Sequence, residues 1–201
     1  MKVIKYPAKE EWSEIVKRPH LDVSKLNATV QGVLDDVKKH GDEAVKRYEE
    51  MFDHAHLDSL AVTEAEIEEA EQLVSQELKD ALHLAHHNIA AFHQSQKFEG
   101  EKVETCPGVT CWQKSVAIQK VGLYIPGGTA PLFSTVLMLA TPAKIAGCEE
   151  IVLCTPPNQE GKVNPAILMA AKIAGVSKIF KAGGVQAIGA MAYGTESVPK
   201  V

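Results

Sequence analysis

The stretch VGLYIPGGTAPLFSTVLMLATPAKIAG, residues 121–147, decides the fold. Val121 to Ile125 is a short apolar run of strand type, and Pro126-Gly127-Gly128 turns the chain out of it. After the loop Pro126–Phe133, a helix is expected from Ser134 to Ala146, stopped by Gly147. The same grammar then repeats. Strand Ile151–Cys154 leads through the loop Thr155–Asn164 to a helix with Pro165 at its first position and Gly175 just past its end. Strand Lys178–Lys181 leads through Gly183-Gly184 to a helix ending near Gly194. Strand-helix-strand-helix-strand with short links specifies a parallel sheet in a doubly wound α/β domain.

Upstream the pattern changes. Val103–Thr105, Val109–Trp112 and Val116–Ile118 read as short strands separated by Pro107-Gly108 and Gln113-Lys114. Before them the period is helical. Ser24 can cap a helix to about Lys39, with Val30, Val33, Leu34 and Val37 on one face and Gly41 beyond its end. Asp42 can cap a second helix carrying Val45, Tyr48 and Phe52. Thr63 and Glu66 form a capping-box pattern. From there Ile67, Ala70 and Val74, then Leu78, Ala81, Leu82, Ala85, Ile89 and Phe92, continue helically to about Gln96, with a break near Ser75.

Composition supports a folded domain. The 201 residues are 45% apolar and 23% charged, which excludes a disordered chain and a small disulfide scaffold. The net charge of −5 argues against a fold-wide basic face, so nucleic acid is not an expected partner. Residues 101–201 hold 11 of the 14 glycines, so close backbone approach to a ligand is expected there. Cys106, Cys111, Cys148 and Cys154 include no C-x-x-C pair, and reduced thiols in a cytoplasmic protein are expected. The uncharged stretch between Lys120 and Lys144 is interrupted by Pro126, Pro131 and Pro142. A membrane span, which needs ~20 apolar residues in regular structure, is therefore not expected.

Ligands of open parallel sheets bind at the carboxyl ends of the strands. Three loops fall there: Pro126-Gly127-Gly128-Thr129, Thr155-Pro156-Pro157 and Ala182-Gly183-Gly184-Val185-Gln186. Their paired glycines either cradle an anion such as a pyrophosphate or merely turn the chain. Neither G-x-G-x-x-G nor a P-loop is present. Tyr124 ends a strand at the same rim, where it can stack on a base or sit in the core. Cys154 is either a nucleophile or, as its lack of a basic neighbour favours, a buried structural thiol. His83 and His87 have the i, i+4 spacing of a metal pair, but Ala81, Leu82, Ala85 and Ile89 claim the buried face, which turns most of these histidines to solvent. No general base with a partner and no complete metal set is readable.

The strings Val121-Gly-Leu-Tyr-Ile-Pro-Gly-Gly-Thr-Ala-Pro-Leu-Phe-Ser-Thr-Val-Leu-Met-Leu-Ala-Thr-Pro-Ala143 and Gly183-Gly-Val-Gln-Ala-Ile-Gly-Ala-Met-Ala-Tyr-Gly-Thr-Glu-Ser-Val-Pro-Lys-Val201 closely resemble the N-terminal half of histidinol dehydrogenase. Gly41-Asp42-Glu43-Ala44, Pro107-Gly108-Val109, Ala146-Gly147-Cys148 and Val152-Leu153-Cys154 extend the resemblance along essentially the whole chain. It implies an oxidoreductase of histidine biosynthesis that oxidises L-histidinol to L-histidine through the aldehyde. Such an enzyme uses two NAD molecules and zinc, and is a homodimer with active sites built from both subunits. It implies a helical region, 1–120, sharing its domain with later chain, followed by an incomplete Rossmann-like NAD-binding region, 121–201. Tyr124 and Gln186 fall on NAD-contacting positions of the family; a third contact, an Asn in a G-P-G-N string, has no counterpart here. The family's zinc ligands, Glu-His proton-transfer pair and substrate contacts lie past the position of Val201. No catalytic or metal residue is therefore assigned, and the 201 residues are expected to be inactive alone. The alternative is a non-catalytic nucleotide-binding or dimerisation module. Apolar helix faces within 25–96 are expected to lack their partner, exposing apolar surface.

Overall fold

A computed structural model describes residues 3–18, 23–128 and 131–201. Its core is a three-stranded parallel sheet of β3 (Lys120–Tyr124), β4 (Glu150–Thr155) and β5 (Lys178–Lys181), in the order β3-β4-β5. The register pairs Tyr124 with Cys154, and Cys154 with Phe180. The three carboxyl ends are thereby brought level.

Side-chain alternation sends each strand's residues to two cores. Leu123, Ile151, Leu153 and Ile179 face α5 (Phe133–Ala146) and α6 (Pro165–Ala174). Behind those helices lie α3 (Glu64–Leu73) and α4 (Gln76–Gln94). Val152, Cys154 and Phe180 face the opposite side, against α7 (Gly184–Tyr193) and α2 (Ser24–Phe52). Helices thus cover both faces, as the strand-helix alternation requires, and the fold is the expected α/β, Rossmann-like arrangement. The open edge of β5 is capped by residues 60–62: Lys181 N–H donates to the Leu60 carbonyl at 2.7 Å and Val62 N–H to that of Ile179 at 2.9 Å. That cover removes an unpaired strand edge.

The punctuation read from the sequence holds at most joints. Gly147 (φ 90°) and Gly175 (φ 75°) end α5 and α6 in the left-handed conformation. Asn164 caps α6, its Oδ1 accepting from Ala166 N–H at 2.9 Å. Thr63 and Glu66 close a reciprocal capping box, and Ser75 breaks the helical stretch by capping α4. Gly41, at φ 52° and ψ −132°, divides α2 into two arms.

Three local expectations, on Asp42, on Val116–Ile118 and on α4, are corrected. Asp42 does not cap the second arm of α2. Its carboxylate accepts instead from the Thr195 hydroxyl at 2.5 Å, from Ser197 N–H at 3.2 Å and from the Ser197 hydroxyl, while Glu196 accepts from Asp42 N–H at 2.8 Å. This latch pins the segment after α7 to the kink of α2. Val116–Ile118 forms no strand, because it lies against no partner edge; Val116 is 77% exposed. The two runs before it do form strands, pairing as the hairpin β1 (Val103–Cys106) with β2 (Val109–Cys111), every residue of which is exposed. On α4 the buried stripe is Leu82 with half-buried Leu78, Ala85 and Ile89, and Ala81 and Phe92 point outward. Many apolar residues of α2, α3 and α4 find partners within the chain, on α7, α5 and α6, and others stay exposed as expected. On these helices Leu26, Met51, Phe52, Leu73, Leu84 and Phe92 remain exposed, and further exposed apolar side chains include Trp12, Met138, Leu139 and Ile188 besides the hairpin. A short helix, α1 (Trp12–Ile15), preceded by a helical turn at Lys9–Glu11, completes the described elements.

Candidate nucleotide site

All three sequence-selected loops converge at the carboxyl ends of the strands. They rim a cavity of about 940 Å³ whose walls include Tyr124, Gly127, Pro156, Asn158, Gly184 and Gln186. Thr129, the last residue of the first loop, lies outside the described residues. A cavity of this size at this place in an open sheet matches where such folds take small ligands.

The two glycine pairs are used alike, on either side of Pro156. A Cβ on Gly127 would stand 2.5 Å from Pro156 Cγ, and one on Gly183 would stand 2.8 Å from Pro156 Cβ. The first glycine of each pair is therefore fixed by packing. The second glycines, Gly128 and Gly184, take φ values of 143° and 52°, which side-chain-bearing residues rarely adopt. The chain-turning role of the glycines is thus real, and it is what shapes the rim.

Tyr124 and Gln186 are brought together. The Tyr124 hydroxyl accepts from Gly184 N–H at 3.0 Å, which leaves its own O–H free to donate. Gln186 sits in the first turn of α7, 1% exposed, and its Nε2 donates to Glu49 Oε1 at 2.9 Å. The same oxygen accepts from Gly183 N–H at 2.8 Å. Both backbone donors of the Gly183-Gly184 pair are therefore engaged by the protein's own side chains rather than left for an anion.

Glu49 was not singled out by sequence reasoning. It is fully buried near the end of α2, and its Oε2 meets no donor. Burial outweighs the bonds from Gly183 and Gln186 and pushes its carboxyl up to about 7. Asp53, one turn on and at the cavity wall, is likewise raised by burial. A signal existed: an acid four residues after Val45 falls on the stripe that must be buried.

Cys154 is a structural thiol. It is fully buried in the α7-side core, and burial, with Glu49 nearby, pushes it up to about 12, out of nucleophilic range. The α4 histidines divide between exposed His83 and His87 and half-buried His86 and His93. Burial and its two neighbours lower His86. Among the described residues, no group of three or more His, Cys, Asp or Glu side chains is placed to hold a metal ion. The residues here therefore do not fit a zinc site. No described helix is long and apolar enough to cross a membrane.

A strand-end crevice ringed by glycines, with a tyrosine and a glutamine converging on it, defines an α/β protein of the open parallel-sheet class, with its candidate ligand site at the strands' carboxyl ends. Comparison with known proteins narrows this. The histidinol dehydrogenase family profile matches residues 16–201, and the chain belongs to that family. Histidinol dehydrogenase of Bacteroides fragilis is 68% identical over 201 residues, covering 100% of this chain and 47% of the relative. That of Escherichia coli K12 is 49% identical over 193 residues, covering 96% of this chain and 44% of the relative. The crystal structure of histidinol dehydrogenase from Elizabethkingia anophelis superposes with a TM-score of 0.92 at 47% identity, covering 97% of this chain and 45% of that one. The chain thus spans about half the length of the relatives it matches.

Proposed function

We propose that these 201 residues are the dinucleotide-holding half of an NAD- and zinc-dependent histidinol dehydrogenase, which oxidises L-histidinol through the aldehyde to L-histidine in histidine biosynthesis. Family membership supports the overall reaction. The observation that carries the assignment of NAD to this half is the convergence of Tyr124 and Gln186 on one cavity, with the Tyr124 hydroxyl bonded to Gly184 N–H. Bound NAD supplies the hydride acceptor. The chain's own groups bind and orient: the Tyr124 O–H is a donor at the rim, and the Gly128 and Gly184 turns keep the backbone free of side chains where a ligand must approach. The Gln186 carboxamide oxygen borders Gly184.

The proton-transfer pair, the zinc ligands and the substrate contacts belong in this reading to residues outside the 201. The active assembly is a homodimer of a cytoplasmic enzyme, and the 201 residues alone give no turnover. Calorimetric titration with NAD tests the site. Tyr124→Phe and Gln186→Ala are expected each to weaken binding by at least about fivefold, a loss of about 1 kcal/mol. Unchanged affinity in both variants would move the dinucleotide elsewhere. Histidinol-dependent NADH formation by the isolated 201 residues would refute the division of labour. NAD binding without turnover, in a protein whose mass is 21.8 kDa as made by its source, would favour the non-catalytic module instead.

A further inference from the structure

We propose that Glu49 is a positioning residue of the nucleotide site: held as a neutral acid, it braces the Gly183-Gly184 turn and Gln186 through one oxygen and gives its proton to Asp53 through the other, and its ionisation loosens nucleotide binding. The inference rests on the dinucleotide reading above and adds a pH-dependent control to it.

The geometry favours a proton on this side chain. Oε1 is fully used, accepting from Gly183 N–H at 2.8 Å and from Gln186 Nε2 at 2.9 Å. Oε2 is buried and meets no donor. As a carboxylate oxygen it would be an unsatisfied buried acceptor carrying charge, which is costly. As a hydroxyl it becomes a donor, and a carboxylate stands one helical turn on as the acceptor this proposal assigns to it: Asp53, whose negative charge adds to burial in raising Glu49. One proton shared by the pair satisfies the orphaned atom and removes a like-charge repulsion. Burial acts in the same direction, pushing Glu49 up to about 7.

Among the described residues, the groups around Glu49 include no cationic partner of its own. On its own helix end stand Asp53 and then His54, which acts on Asp53. On β4 stands the Cys154 thiol, pushed up to about 12 and therefore neutral at physiological pH. On α7 stands Gln186, and from β3 the Tyr124 hydroxyl closes the other side of the turn on Gly184. A second negative charge under this turn opposes an anionic pyrophosphate above it. Neutral Glu49 therefore favours the nucleotide, and affinity falls as pH rises through its titration.

The test is NAD binding by calorimetry at pH 6 and pH 8, with amide hydrogen exchange at Gly183 and Gln186 measured without nucleotide. In the wild type the dissociation constant rises about tenfold between these pH values, the span of one linked proton. Glu49→Gln mimics the neutral acid, accepting through its oxygen and donating through its amide to Asp53; its affinity stays flat between the two pH values. Glu49→Ala is weaker at both and exchanges faster at Gly183. His54→Asn retains the wild-type pH response. A Glu49→Gln variant that titrates like the wild type, or a Glu49→Ala variant that binds like it, overturns the proposal. A wild type that binds no NAD at either pH overturns the dinucleotide reading; hydrogen exchange at Gly183 still reports whether Glu49 braces the turn, so the two failures are told apart.

Discussion

Two glycines on α2 make opposite predictions under the same substitution. Gly41 sits at φ 52° and ψ −132°, a conformation open to glycine and strained for any L side chain. An added Cβ would also fall 2.2 Å from Glu196 Oε2. That clash is itself cheap to relieve, because the carboxylate is the end of a flexible side chain, but relief breaks the 2.8 Å bond from Asp42 N–H to Glu196. The strain is worth about 1–3 kcal/mol. The lost bond adds about 1 kcal/mol. Stiffening the unfolded chain offsets about 0.4–1 kcal/mol. Gly41→Ala should therefore destabilise by about 2 kcal/mol, the sum of those terms. Gly32 lies in the first arm of the same helix, exposed, with nothing within 4 Å of its would-be Cβ. Gly32→Ala should stabilise by about 0.5–1 kcal/mol, the ordinary helical preference for alanine. Urea unfolding of the two variants beside the wild type reads both, provided the slopes agree. A Gly41→Ala variant within about 0.5 kcal/mol of wild type, or the two variants moving the same way, would refute the reasoning, since about 0.5 kcal/mol is the ordinary scatter of surface substitutions.

Asp36 carries a pH prediction. The His40 side chain at 2.7 Å and the Arg47 guanidinium at 2.5 Å hold its carboxyl down at about 2, against an ordinary 3.8. A carboxyl lowered by folding stabilises above its unfolded value and loses that contribution as pH falls through the folded one. Asp36→Asn is thus expected to be less stable than wild type at neutral pH, the gap closing as pH falls from about 4 to about 2; a gap that persists at the acid end sinks the assignment. Cys154 should resist a thiol reagent in the native protein and react only on unfolding, while exposed Cys106 and Cys111 react at once. Native-state labelling followed by peptide mass mapping decides this, and prompt modification of Cys154 would contradict its burial.

The strand-helix alternation was readable because each joint carries its own local chemistry. Pro165 and Asn164 start a helix, Gly147 and Gly175 stop two, and Ser75 separates α3 from α4. Tyr124 and Gln186 were reached through the strings around them, which resemble one family. What stayed hidden depends on distant chain. Glu49 looks like one more charge on an acidic helix until Gly183 and Gln186, 134 and 137 residues later, close over it. Asp42 has the look of a helix cap, and only the return of residues 195–197 makes it a latch. Val116–Ile118 has strand composition without an edge to pair with, and strand propensity alone does not supply one.

An acid titrating near neutrality is what a general base needs, and Glu49 invites that role. The structure argues against it on access. A base must come within hydrogen-bond reach of the proton it takes. Glu49 is fully buried behind the Gly183-Gly184 turn, with one oxygen held by two donors and the other buried without a donor. Reaching a ligand in the cavity would mean dismantling the Gly183-Gly184 turn. Its weakened acidity is better explained by burial beneath the turn it braces than by any proton it could pass to a ligand. Tyr124, by contrast, keeps a free O–H at the rim while taking a backbone bond. In the proposed reading, then, the buried acid sets the shape of the crevice and the Tyr124 hydroxyl at its rim is the group left to meet a ligand.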